Sequence, residues 1–244
     1  MQLLIDIGNT RLKWATTSAN QLHTAGALEH QGITASLLVS RIAQTLPQTI
    51  SHIYVASVAS SEFTTRLCKV LEQQLQSPVT QIHSSAYAAS VHNGYEQPEK
   101  LGVDRWLAII AGFAQTGACL VVDAGTALTL DWVNAQGRHQ GGLIAPGLHT
   151  QWAALTAHTQ LPPANWDDNI PVWACDTHSA IRRGIMGNLT ALIMQHWQLA
   201  DKPTLLLTGG DATVISTQLS IEHLVIGDLV LRGLLLATPN KKRA

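Results

Sequence analysis

Asp6, Gly8 and Thr10 close an apolar run, Leu3-Leu4-Ile5-Asp6-Ile7-Gly8-Asn9-Thr10, and half a chain later the order returns in Leu120-Val121-Val122-Asp123-Ala124-Gly125-Thr126. Each run reads as a buried strand that ends in a carboxylate and a glycine-threonine turn. A second strand follows each, over residues 11–16 and 127–133. This grouping suits phosphate and metal. Glycine lets the backbone approach closely, turn N–H groups point at anionic oxygens, and the carboxylate can hold Mg²⁺. One copy alone is equally a β-hairpin with an Asn-Thr or Gly-Thr turn. The matched pair favours two similar domains that face one nucleotide.

The elements that position these residues repeat as well. Strands over 2–7, 12–16 and 22–28 precede a helix over 34–45, whose Leu37, Leu38, Ile42 and Leu46 recur at helical spacing and which Pro47 ends. A turn at Ser18-Ala19-Asn20 joins the second and third strands. A buried strand over 53–58, a helix over 61–75 capped by Ser60 or Ser61, and a short strand over 79–82 follow. The polar stretch 84–100 shows little periodicity, and an irregular loop of that length usually carries function. An apolar helix over 101–115 then joins the halves. The second half opens with the repeated strand pair and a strand over 138–145. Helices follow over 148–158 and 177–197, the latter with Gly184 and Gly187 available for close packing. Residues 159–173 read as irregular. A strand over 205–207 runs into Thr208-Gly209-Gly210-Asp211; an edge strand over 225–226 and a helix over 229–236 close the chain. Three antiparallel strands followed by alternating helices and strands, twice, predict an α/β protein of duplicated ribonuclease-H-like domains. Each has a mixed sheet flanked by helices, and the domains span 1–116 and 117–244.

Composition narrows the chemistry. With 46% hydrophobic and 13% charged residues in 244, the chain has a core-forming composition, and its net charge of -1 argues against nucleic acid as a main partner. Its basic cluster, Lys241-Lys242-Arg243, reads as a solvated tail. Three scattered cysteines, Cys68, Cys119 and Cys175, fit a reducing cytoplasm and no zinc site. Asp6 in the first apolar run, with no basic lead, reads as a strand rather than a signal peptide. Apolar runs over 106–114 and 229–237 are about half the ~20 residues that a membrane span needs. Eleven histidines lie singly, and none is assigned a role.

Five motifs resemble, in order and spacing, those of the bacterial type III pantothenate kinases, within the acetate and sugar kinase, Hsp70 and actin superfamily. They are Asp6-Ile7-Gly8-Asn9-Thr10, Gly102-Val103-Asp104-Arg105, Asp123-Ala124-Gly125-Thr126, Gly141-Gly142-Leu143-Ile144-Ala145-Pro146-Gly147 and Thr208-Gly209-Gly210-Asp211. The resemblance implies an actin-like ATPase fold and ATP-dependent phosphorylation of pantothenate, the first step towards coenzyme A. It implies that Asp6, Ile7, Gly8, Asn9, Thr10, Arg11, Leu12 and Lys13 form an ATP phosphate loop, with Asp6 near Mg²⁺ and Thr126 on ATP. Asp123 would be the ligand of a monovalent cation, potassium or ammonium. Tyr95, Gly102, Val103, Asp104, Arg105 and Thr177 would bind pantothenate, and Asp104 would accept the proton of its hydroxyl. The working unit would be a homodimer with the pantothenate pocket against the partner. The apolar helix 101–115, with Trp106, Leu107, Ile109, Ile110 and Phe113 around much of its circumference, offers a face for that partner or for the chain's own domains.

The residues fit this chemistry and also plainer ones. Phosphoryl transfer asks mainly for positioning and charge neutralisation. An ordinary aspartate, with a pKa of about 3.9, is a weak base at neutral pH, but a loose transition state needs little proton removal until late. Asp104 also suits the start of the following helix. Arg105 has a planar fork for a carboxylate, or forms a surface ion pair. Tyr95 closes over substrate or packs its loop. Thr177 reads as the N-cap of a helix whose free N–H groups suit an anion. Gly209-Gly210 reads as a nucleotide loop or a plain turn. Two rival functions remain at this level: a kinase of another small hydroxy or carboxylic substrate, and a non-catalytic nucleotide-binding regulator.

Overall fold

The computed structural model describes residues 1–19, 21–46, 49–166 and 170–238. Asn20, Pro47 and the Lys241-Lys242-Arg243 tail, read above as turn, helix stop and solvated tail, lie outside the described residues. The chain forms two compact units, Met1–Gln115 with the segment from Leu229, and Thr116–Asp228.

In the first unit, β1 (Gln2–Ile7), β2 (Arg11–Ser18) and β3 (Gln21–Glu29) form an antiparallel meander. Helix α1 (Ala35–Ala43), β4 (His52–Ser57), α2 (Ser61–Leu75) and β5 (Val79–Gln81) follow, giving the sheet order β3-β2-β1-β4-β5. Alternation along β1 decides its faces: Leu3, Ile5 and Ile7 join Leu12 and Trp14 in a core with Leu38 and Ile42 of α1 and Leu67 and Leu71 of α2. Leu4 and Asp6 therefore point to the opposite face. Thr34 and Ser60 cap the two helices by accepting the N–H of Leu37 and of Phe63.

The stretch 84–100 is more ordered than its sequence predicts. It holds a hairpin of β6 (Tyr87–Ala88) and β7 (Val91–His92), then a 3₁₀ turn at Pro98–Lys100. Ala89 and Ser90 turn the hairpin with φ of 46° and 69°, and strands of two residues leave no periodicity to read. Helix α3 (Val103–Thr116) ends the continuous part of this unit.

In the second unit, β8 (Cys119–Ala124), β9 (Ala127–Val133) and β10 (His139–Pro146) repeat the meander. Then come α4 (Leu148–Thr156), α5 (Thr177–Leu199), β11 (Thr204–Thr208), α6 (Ala212–Ser216) and β12 (Leu224–Val225). The order β10-β9-β8-β11-β12 matches the first sheet strand for strand, so the duplicated ribonuclease-H-like architecture is present. Leu120, Val122 and Ala124 pack with Leu128 and Leu130 against Trp152, Ile185 and Leu189, while Asp123 points the other way. Residues 159–166 and 170–173 lie outside helix and strand as predicted, yet Trp166 and Ile170 join this core. Helix α6, at five residues, is too short to show a pattern.

Three expectations are corrected. The domain boundary placed the chain end in the second unit, but α7 (Leu229–Ala237) packs on β1 and β2 of the first. Its Leu229, Leu231 and Leu234 are buried, and a methyl group on its Gly233 would overlap the backbone of Leu107 in α3. Residues 103 and 105–112 of α3 are buried, so of the apolar residues named for a partner only the half-buried Phe113 retains exposed surface. Gly184 and Gly187 of α5 face open space rather than a close neighbour. Among the described residues no helix is long and apolar enough to cross a membrane.

Candidate active site

The turn between β1 and β2 is held by its carbonyls. Gly8 N–H donates to the carbonyl of Arg11 (2.9 Å), Val58 N–H to Ile7 (3.0 Å) and His30 N–H to Thr10 (3.2 Å). The ring Nε2 of His30 lies 2.8 Å from the carbonyl oxygen of Gly8. Asp6, at 9% exposure, stands directly across the strand pair from Lys13. An acid and an ammonium group thus share one face of the hairpin where it opens.

The Gly102-Val103-Asp104-Arg105 motif begins α3, and a methyl group on Gly102 would stand 3.9 Å from the Val58 side chain. Since Val58 also bonds Ile7, this unit brings the motif onto the strand ends that carry residues 6–13. Asp104 sits at the second helical position, not at the cap, and its Oδ1 accepts the N–H of Arg105 at 2.7 Å. Arg105 is 7% exposed, which removes the surface ion-pair reading. Its Nη1 donates to the Tyr95 hydroxyl at 2.8 Å, and its guanidinium carbon lies 5.7 Å from the Tyr95 ring centre. Tyr95 in turn belongs to a loop set by Asn93, whose Oδ1 accepts Tyr95 N–H and whose Nδ2 donates to Ser85 and Pro98 carbonyls. Ser84 ties the loop to the motif by donating to the Leu101 carbonyl at 2.7 Å.

In the second unit three turns meet at one sheet edge. Gly147 N–H (3.0 Å) and the Thr150 hydroxyl (2.6 Å) both donate to the Thr126 carbonyl. A methyl group on Gly147 would overlap the Gly125 carbonyl, and one on Gly209 the Ala124 carbonyl. Gly209 also has a φ of +97°, so glycine is demanded there twice over. The plain-turn reading of Gly209-Gly210 misses this close seat on the Asp123 strand. Asp123 has Thr129 opposite on β9 and Thr208 opposite on β11, which places two hydroxyl side chains on its own face. His149, in the first turn of α4, reaches Asp211 at 3.4 Å.

Thr177 is the first residue of α5, but the cap is Asp176, whose carboxylate accepts the Ser179 N–H at 2.8 Å. That bond holds the Asp176 carboxyl below its ordinary value. Thr177 opens a groove between α4 and α5 lined by Gln151, Leu155, Ile181 and Gly184. Among the described residues no group of three or more His, Cys, Asp or Glu could hold a metal ion. A cation here would need phosphate or hydroxyl oxygens besides a single carboxylate. Sequence reasoning assigned no role to His30 or Thr129, which lie in no motif, or to Thr208, which opens the Thr208-Gly209-Gly210-Asp211 motif; sheet register sets the two threonines beside Asp123.

Two units of identical strand order, each with an acid-glycine-threonine hairpin at the end of its first strand, define the fold class of the sugar kinases and actin-like ATPases. A solved structure from Sinorhizobium meliloti, described as a candidate 2-dehydro-3-deoxygalactonokinase, matches with a TM-score of 0.58 at 11% identity, covering 96% of this chain and 97% of that one. The family model described as type III pantothenate kinase matches residues 2–199. The type III pantothenate kinase of Laribacter hongkongensis is 37% identical, covering 96% of this chain and 97% of the relative. That of Pseudomonas putida strain F1 is 34% identical, covering 98% and 99%. The chain belongs to the type III pantothenate kinase family.

Proposed function

We infer that this protein phosphorylates pantothenate with ATP, giving 4'-phosphopantothenate in the first step of coenzyme A biosynthesis. The family match supports the reaction. The observation that supports the residue assignment is that Gly102, at the head of the Gly102–Arg105 motif, lies near Val58, whose N–H bonds the Ile7 carbonyl at the end of β1 in the same unit. In this reading residues 6–13 hold the ATP phosphates, with Lys13 supplying charge, and Thr126 touches ATP. The substrate hydroxyl oxygen attacks the γ-phosphorus, the bond to the ADP oxygen breaks, and the hydroxyl proton passes to the Asp104 carboxylate. Arg105, braced by Tyr95, clamps the pantothenate carboxylate through its planar fork. Asp6 would be the protein carboxylate beside Mg²⁺, which would supply charge to stabilise the phosphates. Asp123 with the Thr129 and Thr208 hydroxyls would hold potassium or ammonium, which would supply charge to neutralise the phosphates.

Coupled ADP release tests the reaction. Purified protein with ATP, Mg²⁺ and potassium should make ADP when pantothenate is added. Robust turnover of glycerol, acetate or glucose with none on pantothenate would overturn the assignment.

The same reading makes the working unit a cytoplasmic homodimer, but not through α3. Thr177 stands in a groove with Leu155, which is 58% exposed, and this is the face we assign to the partner and its pantothenate. Light scattering should give twice 26.3 kDa, and Leu155→Glu should lower association and pantothenate turnover together. A fully active monomer would refute the dimer.

A further inference from the structure

We propose that His30 is a positioning residue for ATP: its ring holds the Gly8 carbonyl inward and thereby aims the Asn9 N–H at a phosphate oxygen. The inference rests on the reading of residues 6–13 as the phosphate loop. A carbonyl oxygen can only accept, so the His30 Nε2 at 2.8 Å must carry the hydrogen. The same residue's backbone N–H holds the Thr10 carbonyl at 3.2 Å, and Val58 N–H holds that of Ile7 at 3.0 Å. Three carbonyls of one short turn are therefore tied to protein donors. No cis peptide bond occurs among the described residues. In a trans peptide the N–H points opposite to the preceding C=O. Fixing the Gly8 carbonyl towards His30 consequently turns the Asn9 N–H away from the protein, and Asn9 is exposed. Outward N–H groups in a turn are what an anionic oxygen binds.

Histidine suits this place because it combines a donor at its edge with a flat apolar face. At 8% exposure the ring stacks on Phe63 of α2, with centroids 4.9 Å apart and planes at 22°. Phe63 is itself fixed in the first turn of α2, where its N–H goes to Ser60. The loop is thus braced against a helix rather than left to thermal motion, and the N–H that meets phosphate is set before ATP arrives. Such preorganisation lowers the ordering cost of binding.

The test compares His30→Phe, which keeps a ring on Phe63 and deletes the donor, with His30→Gln, which keeps a donor. His30→Met matches glutamine in length without the donor and replaces the phenylalanine variant should that not fold. Lys13→Ala probes the same loop independently. Loss of the donor should raise KM for ATP about tenfold, leave KM for pantothenate within about twofold, and be largely rescued by glutamine. If KM for ATP is unchanged in His30→Phe but raised in Lys13→Ala, His30 is a core residue and the proposal fails alone. If Lys13→Ala also leaves it unchanged, the phosphate-loop reading fails and the proposal with it. Equal loss in all His30 variants, glutamine included, would also overturn it.

Discussion

The missing side chain of Gly102 is the space in which the Asp104 carboxylate stands: a methyl group there would lie 2.7 Å from Oδ1. The glycine next to the acid is therefore steric rather than conformational. Gly102→Ala should push the carboxylate off its bond to the Arg105 N–H. Turnover should fall by about tenfold or more, as misplacing a reacting group by a fraction of an ångström does, while KM for ATP stays near wild type. Steady-state kinetics on pantothenate and ATP check this, and unchanged turnover would show that Asp104 needs no such clearance.

Asp104→Asn separates proton acceptance from helix support. The asparagine oxygen can still accept the Arg105 N–H, so the start of α3 and the melting temperature should persist. Turnover should fall about 10²-fold or more, the range for loss of general-base help, with ATP binding little changed. A rate within a few-fold of wild type would leave Asp104 as a first-turn acid that favours the helix dipole.

Much of this architecture was legible because buried strands read as unbroken apolar runs. Leu3–Ile7 and Leu120–Ala124 announce themselves, and their shared acid marks the duplication. Helices α1, α2 and α5 showed either apolar periodicity or length, although the cap of α5 is Asp176 rather than Thr177. What escaped depends on distant parts of the chain. Helix α7 follows the second unit in sequence but packs on β1 and β2 of the first, which no local pattern records. His30 escaped for the same reason: its partner is a backbone carbonyl 22 residues earlier, and a carbonyl has no sequence letter. The site motifs were readable as letters, but that Arg105 is buried under Tyr95, and that Gly102 clears Asp104, are facts of packing.

Cation dependence follows from the surroundings of Asp123. With Thr129 and Thr208 on either side of it in the sheet, the three offer oxygens to a weakly hydrated cation. Activity should collapse when sodium replaces potassium and ammonium, and Asp123→Asn should lose both activity and that discrimination. Assays at constant ionic strength decide it. Equal rates in sodium and potassium would leave Asp123 as a strand-end carboxylate.

The thiols should separate by burial. Burial pushes the Cys119 thiol up to about 12, outweighing the opposing bond to Thr116. Burial, with Glu72 adding to it, also raises Cys68, whereas Cys175 is exposed. A thiol reagent should label Cys175 at once, Cys68 slowly and Cys119 on unfolding. The sign for stability is fixed: above the ordinary value of 9.0 the unfolded chain loses the Cys119 proton and the folded chain keeps it. Stability is thus full below pH 9.0 and falls as pH rises towards about 12, by up to about 1.4 kcal/mol per pH unit. Cys119→Ala should flatten that part of the alkaline denaturation curve, and an unchanged slope would contradict the assignment.

Tyr95 and Arg105 give the sharpest test of the substrate side. The guanidinium is buried and donates to the tyrosine hydroxyl at 2.8 Å, so its plane is fixed by a residue from the preceding loop. A fork that is already oriented meets a carboxylate with little ordering left to do. Tyr95→Phe keeps the ring beneath the guanidinium and removes the acceptor. It should cost about 1.5 kcal/mol or more in stability, the value for a bond to a charged group, and raise KM for pantothenate several-fold with KM for ATP unchanged. Arg105→Lys should be worse on pantothenate, because a point charge cannot donate two parallel bonds to a carboxylate. Pantothenol, which lacks the carboxylate, supplies the control: its KM should not distinguish Arg105→Lys from wild type. If the lysine variant loses pantothenol and pantothenate alike, Arg105 supports the loop and the start of α3, and the carboxylate is held elsewhere.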